Sequence, residues 1–146
     1  MHLVIVTPRG SKVDTNVSMV AVPGEMGELG ILPGHRPLIT ALAIGVLTYS
    51  EGGKVKQLAT NEGFMEVHDD ELVVVTESAE EPDEIDAERA KKSLDAAEAA
   101  LKTVDQYADP VGWKQLQEKR QRALNRLAVS RFATPEALRV QAQKSA

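Results

Sequence analysis

Cysteine is absent from this 146-residue chain, which excludes disulfides, thiolate metal sites and cysteine nucleophiles. Aromatic residues are scarce, at two Phe, two Tyr and one Trp, so a core must be built from Val, Leu, Ile and Ala. No apolar run approaches the roughly 20 residues of a membrane span. The opening Met-His-Leu-Val-Ile-Val-Thr-Pro has too short an apolar run for a signal peptide and lacks a cleavage site. A soluble, intracellular chain is expected. A catalytic set is missing as well. His2, His35 and His68 lie far apart without ligand spacing, no serine sits in a nucleophile elbow, and no Gly-x-x-x-x-Gly-Lys loop is present. Gly24, Gly27 and Gly30 recur at every third residue, unlike a dinucleotide fingerprint, and they precede strand rather than helix. A hydrolase reading therefore has no nucleophile and no metal cluster to stand on.

What is present centres on residues 22–38, where glycine and proline alternate with Val22, Leu29, Ile31, Leu32 and Leu38. A disordered linker would not carry apolar residues at these places. Glycine permits positive φ or close approach and proline fixes φ, so the stretch predicts short strands joined by specified turns. Around it run short apolar and β-branched segments at 3–7, 13–22, 38–42, 46–50, 54–60, 64–68 and 72–76, most of them ended by Gly, Pro, Asn or Asp. Turns every few residues without helical period predict an all-β sandwich.

Beyond Glu77 the composition changes. Ala87, Ala90, Leu94, Ala97, Leu101 and Val104 recur at helical spacing, with Asp83 or Asp86 as the cap. Asp109-Pro110 starts a second helix that carries Trp113, Leu116, Ala123, Leu124 and Leu127 on one side. A short joint makes these an antiparallel hairpin, and Thr134-Pro135-Glu136 predicts a short third helix. The expected organisation is α+β: a sandwich over 1–83, then a helical hairpin over 84–146. An alanine-rich seam buries little area per residue, which makes the hairpin cheap to detach. Charge is also uneven. Residues 66–109 hold 15 Asp/Glu against 4 Lys/Arg, whereas residues 111–146 hold 8 Lys/Arg against 2 Asp/Glu.

Two constellations follow from the hairpin. Arg89 falls near Arg122 and Arg126, with Asp86 one turn away. Three guanidinium groups suit phosphate oxygens; solvated cross-helix salt bridges are the ordinary alternative. The basic row Lys114, Lys119, Arg120, Arg122, Arg126 and Arg131 suits an acidic protein surface or simple pairing with the first helix. It lacks the aromatic stacking residues of a nucleic-acid site.

Residues 27–38, Gly-Glu-Leu-Gly-Ile-Leu-Pro-Gly-His-Arg-Pro-Leu, followed by Gly45-Val46-Leu47, closely resemble the signature of the epsilon subunit of bacterial F-type ATP synthases, to which mitochondrial delta is similar. The order sandwich then hairpin matches that family along the chain. The resemblance implies a non-catalytic central-stalk subunit of a proton- or sodium-translocating complex, at the cytoplasmic face of the membrane without inserting into lipid. It implies gamma and the ring of c subunits as partners of the sandwich, with Glu28 and His35 at the ring contact. It further implies a mobile hairpin that inhibits ATP hydrolysis when extended towards the alpha/beta catalytic head, through Arg120, Arg122 and Arg126. Residues 85–90, Ile-Asp-Ala-Glu-Arg-Ala, also resemble an ATP-binding motif of some members, which implies regulatory ATP at Asp86, Arg89, Arg122 and Arg126. No other cofactor is called for. A stand-alone ATP sensor outside any rotor is the alternative.

Overall fold

Short alternating segments cannot bury both faces alone, so they pair into β1 (His2–Thr7), β2 (Gly10–Asn16), β3 (Met19–Gly24), β4 (Gly27–Ile31), β5 (Leu38–Leu42), β6 (Gly45–Glu51), β7 (Lys54–Thr60), β8 (Gly63–His68), β9 (Glu71–Thr76) and β10 (Ala79–Glu80). The computed structural model describes residues 1–132. Hydrogen bonds order the strands β10-β7-β6-β3-β5-β8-β9-β1-β2, with β4 paired to β3. One half of this network meets the other through a single β3–β5 residue pair, Gly24 opposite Leu42. The network folds over there into a sandwich. A side chain at residue 24 would have no room, because its Cβ would lie 2.7 Å from the Gly27 carbonyl oxygen.

Inward residues from both halves form the core, with Leu3, Ile5, Val20, Val22, Ile31 and Leu47 fully buried among others. Residues 13–22, expected to alternate as one stretch, divide instead. β2 pairs with β1, whereas β3 pairs with β4 and β6 in the other half. The chain must cross between the halves at Val17-Ser18, and Val17 turns into the core there.

A 3-10 turn at Pro82–Glu84 leads to the helices α1 (Ala87–Leu101) and α2 (Pro110–Ser130). Of the two candidate caps for α1, Asp86 serves, accepting the Arg89 N–H at 3.1 Å. Asp109 caps α2 by accepting the Gly112 N–H at 3.0 Å, with Pro110 at the first helical position. Ala90, Leu94, Ala123 and Leu127 make the seam between the helices, with Leu124 beside them. Ala87 is exposed and Val104 lies past the end of α1, so the seam is shorter than its periodicity predicts. α2 has a second covered side that rests on β6 and β7. The expected third helix at Thr134 lies outside the described residues. Fold class and element order are those expected: an α+β chain, β-sandwich first and helical hairpin second.

Candidate functional site

Three surfaces gather the chemistry. At the corner, Glu28 stands exposed on β4 opposite Pro23, with no ion pair or hydrogen bond of its carboxylate among the described residues. The chain then turns at Leu32–His35, where the His35 N–H donates to the Leu32 carbonyl at 3.1 Å and Gly34 takes φ +81°. A side chain from the β8–β9 turn holds this corner: Asp70 Oδ1 accepts the Gly34 N–H at 2.9 Å. That hydrogen bond favours the ionised carboxylate and pulls the Asp70 pKa below its ordinary value. His35 Nδ1 donates to the Arg36 carbonyl at 2.7 Å, and Nε2 has no hydrogen-bond partner among the described residues.

The second surface is the outer face of β5, β8, β9 and β1. Strand register lines up Ala41, Phe64, Val75 and Val6 in one row, and Ile39, Glu66, Val73 and Val4 in the next. Ile39, Phe64 and Val75 are 71%, 64% and 53% exposed. Side chains of this size are rarely left together in water unless another surface covers them. Sequence reasoning singled out none of these residues. Their signal was the run Leu72-Val-Val-Val, since apolar residues at both parities of a strand mean two covered faces.

The third surface lies where α2 meets the sandwich. A cavity of about 250 Å3 opens there, lined by Lys119, Arg122 and Arg126 with Asn125, Ser93, Asn61 and Glu80 among its walls. Arg126 reaches Glu80 of β10 at 3.0 Å. Two buried donors in the same place, Asn125 Nδ2 and Arg126 Nε, have no acceptor. Among the described residues, Lys119 and Arg122 make no ion pair.

The expected convergence of three arginines differs in detail. Arg122 and Arg126 line the cavity, but the residue α1 contributes is Ser93, one turn beyond Arg89. Asp86 and Arg89 are exposed outside that lining, and the Asp86 carboxylate is engaged in capping. Arg120 is tied to Glu98 of α1, Nε to Oε1 at 3.3 Å. A second tie runs from Lys12 on β2 to Glu84 at the base of the hairpin, and it holds the Glu84 pKa below the usual carboxylate value.

Comparison with known sequences accounts for both modules. The family described as ATP synthase, Delta/Epsilon chain, beta-sandwich domain matches residues 1–82. Its long alpha-helix domain matches residues 83–131. The chain belongs to the ATP synthase delta/epsilon family. An ATP synthase epsilon chain of Trichlorobacter lovleyi is 50% identical over 102 residues, covering 70% of this chain and 74% of the relative. That of Geobacter metallireducens is 42% identical over 130 residues, covering 89% and 93%. Among solved structures, a chain of the Euglena gracilis mitochondrial ATP synthase, in its OSCP/F1/c-ring part, has TM-score 0.65 at 25% identity, covering 96% of this chain and 79% of that one. A chain from the central stalk and c-ring of the Tetrahymena thermophila enzyme shares the fold, with TM-score 0.51 at 18% identity over 57% of this chain and 68% of that one. Membership in the delta/epsilon family makes this chain a non-catalytic subunit of an ATP synthase rather than an enzyme in its own right. Among the described residues no helix is long and apolar enough to cross a membrane.

Proposed function

We propose that the chain joins the gamma shaft to the ring of c subunits in a proton- or sodium-driven ATP synthase, at the cytoplasmic face of the membrane, and that its hairpin opposes ATP hydrolysis. Gamma covers the Ile39–Phe64–Val75 face, the ring seats on the corner of Glu28 and His35, and the alpha/beta head receives the extended hairpin. The observation that carries this reading is the unequal hold within the molecule. The sandwich is locked by an apolar core and a hydrogen-bonded corner, which suits a part that transmits torque. The hairpin rests on it through a largely polar surface, with Val129 as its buried apolar residue, that contains two orphaned donors. Each orphan costs about 1–3 kcal/mol before solvent in the cavity offsets it, and each of the two part-exposed ion pairs, Arg126–Glu80 and Lys12–Glu84, returns about 1 kcal/mol or less. Release is cheap by that comparison. Docked, Arg126 faces Glu80 of β10, whereas Arg120 is held by Glu98 inside the hairpin. Glu80 stands in for an acidic surface of the head, so docking and inhibition compete for Arg126.

ATP is the regulatory ligand we assign to the docked form. Support comes from the orphaned donors, from Lys119 and Arg122, which have no ion pair among the described residues, and from a cavity whose chemistry fits phosphate oxygens. At about 250 Å3 it is smaller than the ~300–1,000 Å3 of whole-ligand pockets, so it takes the phosphates and leaves the nucleoside outside, towards the Asp86–Arg89 end of α1. Binding to the docked form alone would stabilise it by mass action.

The coupling role is tested at the corner. Replacing Glu28 and His35 together by Ala is expected to weaken assembly of the chain and gamma onto purified c-rings, with the thermal midpoint of the sandwich unchanged. Full assembly by the double variant, or a large drop in midpoint, would contradict the assigned contact.

A further inference from the structure

Glu84 carries two bonds where the sandwich gives way to the hairpin. Its Oε1 takes Lys12 Nζ from β2, and its Oε2 accepts the Glu81 N–H at 2.8 Å, closing the 3-10 turn Pro82–Glu84 on itself. The first bond spans a gap in the sandwich. β2 and β10 are the two ends of the strand order, so each has an edge that no strand pairs. Between them lies a cleft of about 650 Å3, with Thr7, Arg9 and Lys12 on one side and Ser78, Glu80 and Glu84 on the other. Of the ion pairs and hydrogen bonds among the described residues, Lys12–Glu84 alone crosses it.

The chain on either side of this turn is already committed. Ala79 is buried in the sandwich core and pairs with Thr60, while the Asp86 carboxylate caps α1. With Glu84 tied to β2, Ile85 is the pivot left between them, in extended backbone at φ −92° and ψ 124°. With the tie open, the backbone from Glu81 to Ile85 can turn, except at Pro82, whose ring fixes φ. α2 packs against the same 3-10 turn, so a displaced turn takes a support of the docked helices with it. Arg126–Glu80 holds α2 to β10 and leaves this hinge untouched.

We propose that the Lys12–Glu84 pair is the latch of the hairpin. Closed, it confines the hinge to Ile85 and keeps α1 and α2 docked; open, it lengthens the hinge back to Glu81 and lets them leave. The inference rests on the mobile hairpin assigned above and adds the contact that controls it. A lysine on an edge strand often serves only to keep that edge from pairing with another chain. Lys12 does more than that: its side chain is 23% exposed and its amine is turned onto Glu84 rather than held out in water. Because the pair bridges an open cleft, dissolved salt screens it and loosens the latch.

The chain has no cysteine, so Val129→Cys, at a fully buried position of α2, supplies a thiol that a maleimide reaches only when its cover opens. In the full chain, Lys12→Gln and Glu84→Gln are each expected to speed labelling roughly two- to fivefold. Glutamine at 84 still accepts the Glu81 N–H. The double variant should label no faster than either single one, since both break the same pair. Raising salt from about 0.05 to 0.5 M should speed labelling more in the original than in the variants. Amide exchange in α2, without the reporter, gives the same readout if the cysteine unfolds the helix. Unchanged labelling in both single variants, or effects that add in the double, would overturn the latch. So would a marked fall in the thermal midpoint of the sandwich, which would make Lys12 a support of β2. On the complete catalytic head, both single variants are expected to oppose hydrolysis more strongly. Faster labelling without stronger inhibition upholds the latch and contradicts the inhibitory reading; stronger inhibition without faster labelling contradicts the latch.

Discussion

At the scale of single residues, the corner depends on a contact made from far along the chain. Asp70 sits 36 residues from Gly34 and holds its amide, while Asp69 and Asp70 both take positive φ in the turn between β8 and β9. The Asp70 pKa is depressed in the folded state by the Gly34 N–H. Its contribution to stability is therefore complete above the unfolded value of about 3.9 and is lost as pH falls through the lower folded value. Asp70→Asn keeps an acceptor for Gly34 and tolerates the backbone. It should remove the part of the acid-induced fall in thermal midpoint that Asp70 causes below about pH 5, with the Gly34 amide still slow to exchange. An acid profile identical to the original would mean that Asp70 is not the group responsible. Glycine and proline made the turn itself legible, because they act through their own backbone. The partner was not, since nothing local marks Asp70 as a support for residues on another strand.

At the scale of elements, the hairpin was legible where one residue acts on its own helix. Asp86, Asp109 and Pro110 specify helix starts, and the three-and-four spacing of Ala90, Leu94 and Ala97 specifies the seam. The second covered side of α2 was hidden because it is mostly polar: Asn125 and Arg126 are turned towards β6, β7 and β10. The one apolar residue buried beside them, Val129, makes no stripe, and hydrophobic periodicity is blind to such a face. The cavity formed there is lined from α1 by Ser93, one turn beyond Arg89. If phosphates bind at this face, Mg-ATP should slow hydrogen exchange in α1 and α2 of the full chain and leave the sandwich unaffected. Arg126→Ala should abolish that protection. Protection that survives in the variant would remove Arg126 from the site.

For the whole molecule, one rigid module and one lightly held module sit in series. Their order was legible in the change from alternating to helical period after Glu77. Their contact was not, because a mostly polar interface leaves no pattern along the chain. The apolar core is drawn from residues 3–79, so the sandwich keeps its own stabilising contacts without the helices. Arg126 remains tied to Glu80 while the hairpin is docked, and it becomes available to another acidic surface when the hairpin leaves. The decisive measurement is ATP hydrolysis by the complete catalytic head carrying either the full chain or a chain ending at Glu84. A higher rate with the shortened chain, at equal occupancy on gamma, is the predicted result and identifies residues 85–146 as the brake. Equal rates at equal occupancy would contradict the account, leaving the sandwich as the only functional part and the hairpin without an inhibitory role.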